Sequence, residues 1–178
     1  MRIAFVGKIC SGKTWCVNYL KGLDERFYVT RFAKMVKKIA TELFFMEEKD
    51  RLLLQQIGTK MREIRTDVYV NYVIKECEDE EFCLLDDARY INEIKRLKET
   101  GWILVKLNIP PELQRKRIIA CYPDTFEEHL SRLTHESETQ SDMLPPETFD
   151  YIINVDVDDD IIKKKINDIY NECRIECS

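Results

Sequence analysis

The sequence predicts an α/β domain: a five-stranded parallel sheet with helices on both faces. Three observations predict it. The chain opens on a short apolar run, Arg2 to Val6, that breaks at Gly7 and gives way to a helical stretch. Four further apolar or β-branched runs follow, separated by patterns of helical spacing, an alternation that builds parallel sheets with right-handed crossovers. A length of 178 residues is that of one domain, large enough to enclose such a sheet.

The first run is followed by Gly7-Lys8-Ile9-Cys10-Ser11-Gly12-Lys13-Thr14, which fits G-x-x-x-x-G-K-[ST] at every fixed position. Trp15 to Leu20 then continues without Gly or Pro, as a helix should. Glycines let the backbone wrap a phosphate chain with N–H groups turned inward and a helix N-terminus behind them. Lys13 is expected to reach the β- and γ-phosphates, and the Thr14 hydroxyl to ligate Mg²⁺. Gly7, Lys8, Cys10, Ser11, Gly12, Lys13 and Thr14 are therefore the expected ATP-binding residues.

Phe27 to Phe32, β-branched and aromatic, is the second expected strand. Ala33 to Phe45 places Met35, Val36, Ile39, Ala40, Leu43 and Phe44 at helical spacing, with three lysines near its start. Lys37 is a candidate phosphate ligand there, whereas Lys34 and Lys38 read as solvated. Asp50 to Ile64 is a further helix, with Leu53, Leu54, Ile57, Met61 and Ile64 on one face and Gln55, Gln56, Arg62 and Arg65 as polar contributions. Asp67 is the expected N-cap of a helix over Val68 to Cys77. Three helices in a row, over about 33–78, make an insertion above the strand C-termini, where a second substrate binds.

Glu81 to Asp87 is the third expected strand, and Asp86-Asp87-Ala88-Arg89 puts two carboxylates and a guanidinium at its carboxyl end. Open α/β sheets keep their chemistry there. An acid at this point can hold the water shell of Mg²⁺; the alternative for Asp87 is to cap the helix beginning near Tyr90. Asn92 to Thr100 is helical and ends at Gly101, and Trp102 to Leu107 is the fourth strand. Pro110-Pro111 opens a helix whose turn from Gln114 to Ile118 is densely basic. Arg115 and Arg117 stand two apart, so one can point to phosphates while the other is solvated. Cys121 to Ser141 is polar and irregular, with a helical patch at Phe126 to Leu133 and both histidines, His129 and His135. It reads as a mobile lid, over about 114–142, or as a plain surface loop. Phe149 to Val155 is the fifth strand and Asp159 to Cys173 the closing helix.

A net charge of −5 argues against broad nucleic-acid binding. No apolar run approaches the ~20 residues of a membrane span, and the N-terminus enters a strand with no signal peptide. The seven cysteines form no C-x-x-C pair and read as reduced thiols of a cytoplasmic protein. Nucleotide switches and motors need a water-positioning element, and neither an apolar run ending in Asp-Glu nor an Asp-x-x-Gly of GTPase type is found. A second basic constellation is found: Lys37, Arg62 and Arg89, with Arg115 and Arg117. Arginines facing a phosphate cradle suit transfer between two phosphorylated molecules.

Asp87 to Glu93, D-A-R-Y-I-N-E, resembles the D-x-R-F-x-N-E signature of deoxynucleoside monophosphate kinases of viral and phage type. Phe32 to Lys37, F-A-K-M-V-K, is similar to that family's F-A-D-x-x-K, and Leu53 to Arg62 to its Leu-Leu-Gln…Gly…Arg helix. His135-Glu136-Ser137-Glu138 resembles its H-x-S-E lid segment, and Phe149-Asp150 with Ile153-Asn154 its F-D…I-x-N strand. Lys34, where the family has an acid, and Tyr69, where it often has Trp, depart from the pattern. The resemblance implies a P-loop nucleoside-monophosphate-kinase-like fold and transfer of phosphoryl from Mg-ATP to a nucleoside monophosphate. It implies that Lys37, Arg62 and Arg89 grip the acceptor phosphate, with Glu138 on the same side. Gln55 or Gln56 and Tyr69 would help form the base pocket, Asp87 would position Mg²⁺, and Arg115 would close over the donor phosphates. A dephospho-coenzyme A kinase-like enzyme, a nucleotide-binding regulator without an acceptor and a nucleic-acid-end kinase are the rival readings. The faces Leu52 to Ile64 and Val68 to Ile74 are where a homodimer would form, and a viral origin is compatible with the resemblance.

Overall fold

The computed structural model describes residues 1–134 and 136–176; His135, part of the expected lid segment, lies outside them. Five strands, β1 (Arg2–Val6), β2 (Tyr28–Thr30), β3 (Cys83–Ala88), β4 (Ile103–Asn108) and β5 (Tyr151–Asn154), pair in parallel in the order β2-β3-β1-β4-β5. The helices are α1 (Lys13–Leu23), α2 (Phe32–Phe44), α3 (Arg51–Ile64), α4 (Val68–Glu76), α5 (Ile91–Glu99), α6 (Pro111–Cys121), α7 (Phe126–Ser131), α8 (Glu136–Thr139) and α9 (Asp159–Glu176).

The central strand explains the two-layered core. Side chains alternate across a strand, so Ile3 and Phe5 pack against Val17 and Leu20 of α1 and Ile162 and Ile166 of α9. Ala4 and Val6 face the other way, onto Val70 and Val73 of α4 and Ile94 and Leu97 of α5. Each large side chain buried this completely contributes about 1.5–3 kcal/mol, which fixes β1 as the most firmly held strand. The loop that follows it inherits that rigidity.

Pairing between β1 and β3 is regular from Arg2 opposite Cys83 to Ala4 opposite Leu85, then shifts, so that Val6 lies opposite Ala88. Two steps on β1 are thus matched by three on β3, and the extra residue falls at Asp86-Asp87. Between β2 and β3 the chain runs through α2, α3 and α4 without a strand, as expected. α3 packs mainly on α2 and α4 rather than on the sheet, so its stripe is incompletely covered. Ile64, expected on the buried face, is 81% exposed, and Leu43 and Phe44 of α2 also stand out of the core. Asp67 caps nothing with its side chain; its carboxylate accepts from Asn92 Nδ2 at 2.7 Å and ties α4 to α5. Among the described residues no helix is long and apolar enough to cross a membrane.

Candidate active site

The phosphate loop is shaped by two glycines. A Cβ on Gly7 would stand 2.8 Å from the Leu107 carbonyl oxygen and 2.9 Å from Ser11 Oγ, so the loop can lie this close to β4 with glycine alone. Gly12, at φ 98°, turns the chain into α1. Lys13, 7% exposed, folds back over the loop and donates to the carbonyls of Gly7 at 2.6 Å and Lys8 at 2.7 Å. Burial, and then the positive charge of Arg89, lower its pKa to about 8 against the pull of Glu138, Asp86 and Asp87.

The two acids at the end of β3 part company. Asp86 is buried, accepts from Thr14 Oγ1 at 2.6 Å and is gripped by Arg31 through Nε at 2.7 Å and Nη2 at 2.9 Å. Asp87, the acid expected beside the metal, instead accepts from the Phe32 and Ala33 amides at 3.0 and 2.9 Å, capping α2. Strand alternation is the reason: Asp86 continues the Leu84 face toward α1 and Asp87 the Leu85 face toward α2. Burial pushes the Asp87 carboxyl up to about 6, although its two amide donors oppose the shift. The structure does not bring the expected pair of Thr14 and Asp87 together; Asp86 is the acid beside Thr14. A hydroxyl and a carboxylate side by side are the hard oxygen donors that Mg²⁺ takes, so this pair fits the ion.

Arg89 leaves β3 toward the phosphate loop and forms an ion pair with Glu138. Glu138 is 5% exposed and also accepts from the Ile9 amide of the loop at 2.7 Å. One carboxylate thus joins the phosphate loop to Arg89. Glu93, 1% exposed, holds this turn from below: it accepts from the Arg89 and Tyr90 amides, at 3.2 Å each, and from Arg62 Nη2 at 2.9 Å. The Arg62 guanidinium lies over the rings of Tyr69 and Tyr90, 4.8 and 4.6 Å from their centroids.

The rest of the expected acceptor set is not gathered here. Lys37 of α2 and Gln55 and Gln56 of α3 are exposed. Tyr69, expected in a base pocket, is a core residue, because Tyr69, Val70, Val73 and Cys77 form the inward stripe of α4. Lys34, expected to be solvated, pairs with Glu76 and donates to Tyr28 Oη at 2.7 Å. On α6 the arginine on the loop is Arg117, which donates to the carbonyls of Cys10 at 3.4 Å and Val155 at 3.2 Å. Arg115, the expected lid arginine, lies on the opposite, exposed side of the helix. Buried Gln114 shares the face of Arg117 and donates to the Ile9 carbonyl at 3.1 Å.

The stretch expected as a lid accordingly divides. α6 is packed on the loop, and the segment after it is joined back through Glu138 and through Asp142, which pairs with Lys8 at 2.7 Å and Lys106 at 3.1 Å. Arg51 at the start of α3 pairs with Glu128 of α7 at 2.8 Å, linking α7 to the helical insertion. A cleft of 460 Å³ opens between α6 and the β5–α9 turn, lined by Leu113, Lys116, Arg117, Val155, Asp156 and Asp158. Arg31 carried no signal in the sequence, and Glu93 stood in the D-A-R-Y-I-N-E stretch with no role of its own. Glu93 could have been found as a Glu three residues into a helix, the position that reaches back to the cap amides.

No protein-family model and no curated protein sequence matches the chain. Its structure is similar to that of the shikimate kinase from Acinetobacter baumannii in complex with shikimate, at a TM-score of 0.56 and 20% identity over 98% of this chain and 93% of that one. The dephospho-CoA kinase from Campylobacter jejuni superposes at 0.54 with 20% identity, over 97% of this chain and 98% of that one. The Mycobacterium tuberculosis APS kinase CysC, in complex with AMPPNP and APS, superposes at 0.56 with 13% identity, over 96% and 97%. At these identities the likeness is one of architecture, and this chain has the five-stranded fold of the P-loop kinases.

Proposed function

We propose that the protein transfers the γ-phosphoryl group of ATP to the phosphate of a nucleoside monophosphate, giving the diphosphate. The observation that carries this reading is the position of Glu138. Its buried carboxylate is held at once by the Ile9 amide of the phosphate loop and by Arg89. A donor-side N–H and an acceptor-side guanidinium that converge on one anion are arranged to share a phosphoryl group in transfer. An acceptor phosphate is already ionised at neutral pH and requires no base. The acids of the site are engaged accordingly, Asp86 by Arg31 and Thr14, Asp87 by backbone amides and Glu93 by Arg62. Catalysis then rests on positioning and on charge neutralisation by Lys13 and Arg89. Thr14 and Asp86 would hold Mg²⁺, which when bound neutralises charge on the β- and γ-phosphates. The cleft against Arg117 suits the base of the nucleotide, and lid residues around Glu138 exclude water.

The three solved neighbours are kinases of small molecules, which supports phosphoryl transfer to a small acceptor without selecting the acceptor. A second reading has an observation of its own. Asp87, its carboxyl pushed up to about 6, is poised as a general base for an acceptor that attacks through a hydroxyl. ADP release from Mg-ATP separates the two, measured against deoxy- and ribonucleoside monophosphates together with dephospho-coenzyme A and shikimate. Stimulation by a nucleoside monophosphate supports the proposal. Stimulation confined to a hydroxyl acceptor, abolished by Asp87→Asn, moves the acceptor to the second reading. Turnover indifferent to every acceptor refutes both.

A further inference from the structure

α6 presents one continuous face to the phosphate loop. Gln114 binds the Ile9 carbonyl at 3.1 Å, and Arg117, three residues on, binds the Cys10 carbonyl at 3.4 Å. Cys121 is four residues beyond Arg117 and seven beyond Gln114, so it continues the same face. Its thiol reaches the thiol of Cys10, with which it interacts by hydrogen bonding. Cys10 itself is held at φ 60°, a conformation unusual for a residue with a side chain. The two differ in access: Cys121 is exposed and Cys10 half-buried, whereas Cys16, Cys77, Cys83 and Cys173 are buried. Among the described cysteines, an oxidant in solution therefore meets Cys121 first.

We propose that Cys10 and Cys121 form a reversible disulfide that ties the phosphate loop to the end of α6 and shuts out nucleotide. The oxidant is a small disulfide of the glutathione class. The Cys121 thiolate attacks one of its sulfurs, the small S–S bond breaks, and one thiol leaves carrying a proton. Cys10 then gives up its proton, attacks Cys121 Sγ in the mixed disulfide and releases the second small thiol. Two protein thiols are oxidised and one small disulfide is reduced to two thiols. The order follows from the surroundings. Burial, then the charge and hydrogen bond of Cys121, raise the Cys10 thiol to about 11. Capping Cys121 removes both of its contributions and leaves burial as the main cause, so Cys10 acts second, as the resolving thiol. Because the lid begins where α6 ends, the bond also fastens the root of the lid over the loop.

The bond does not depend on the kinase reading; its effect on ligand depends on the loop being a nucleotide site. The full chain is incubated with oxidised glutathione and followed by intact mass, by peptide mapping and by binding of a fluorescent ATP analogue, before and after a dithiol reductant. The expected result is a loss of about 2 Da for the two thiol hydrogens, a linked Cys10–Cys121 peptide, and loss of nucleotide binding that the reductant restores. Cys121→Ser is expected to bind nucleotide as the reduced protein does and to keep binding under oxidation. Thiols that stay free, or a Cys121 that stops at the mixed disulfide, overturn the proposal. A linked peptide with binding unchanged overturns the claim that the bond shuts out nucleotide. Absence of binding in the fully reduced protein counts against the nucleotide-site reading and leaves the bond to the mass measurement.

Discussion

Replacing Glu93 by glutamine keeps the shape of the side chain and removes its charge. The carboxylate is 1% exposed and accepts from Arg62 at 2.9 Å and from two backbone amides at 3.2 Å. Opposite charges at contact attract by about 4 kcal/mol at an effective dielectric of 20. Arg62 keeps 25% of its side chain exposed, so solvent screening brings the pair to about 2 kcal/mol. The two amides share Oε2, so a glutamine carbonyl set there keeps both, while its NH2 faces the Arg62 guanidinium in place of Oε1 and leaves that buried contact unmade, which adds about 1 kcal/mol. Unfolding free energy should therefore fall by about 3 kcal/mol, a Tm lower by roughly 6–12 °C in a chain of this size. Glu93 also aims the turn that carries Arg89, so the acceptor KM should rise while the ATP KM holds. A double-mutant cycle with Arg62→Met isolates the pair, with an expected coupling of about 2 kcal/mol. Coupling below about 0.5 kcal/mol, the scatter between independent sites, would refute the reasoning.

Other expectations follow from the same geometry. With Lys13 near 8 in the free protein and raised by bound phosphates, ATP binding takes up a proton above that pH. Affinity should hold below pH 8 and fall above it by at most about tenfold per unit, a slope that calorimetry shows and that Lys13→Ala removes. Arg117→Ala should weaken ATP binding by about tenfold, the worth of a charged hydrogen bond, while Arg115→Ala leaves it unchanged; equal effects in a titration would contradict the assigned faces of α6. Asp86→Asn should raise the Mg²⁺ concentration needed for turnover, and Asp87→Asn should not, as a metal titration of both variants checks.

The phosphate loop, the five strands and the helical insertion were legible because each is written locally, in a fixed spacing or a hydrophobic period. The site residues were legible only where local spacing also decides orientation. Arg115 and Arg117 are equivalent on paper, since apolar residues of α6 at Leu113, Ile118 and Ile119 leave its phase open, and buried Gln114 carries part of the inward face. Tyr69 was readable: Tyr69, Val70, Val73 and Cys77 recur at helical spacing, and that stripe marks a core residue. Asp86 and Asp87 were not: alternation sets them on opposite faces, but which face packs on α1 and which on α2 is decided only by the folded topology. Glu138 and Arg89 belong to segments that meet only in the folded chain.

The shift in the pairing of β1 with β3 has an evolutionary consequence. Without Asp87, Asp86 would lie opposite Phe5 and Ala88 would still lie opposite Val6, in unbroken register. Loss of a single codon beside the chemistry would leave Thr14 its carboxylate and Arg89 its place, and take away only the amide cap on α2. Loss of a codon on either side, at Leu85 or Ala88, would instead displace residues that the core holds. The one position in β3 where shortening is tolerated is thus inside the site, and a lineage could gain or drop its second acid there without rebuilding the sheet.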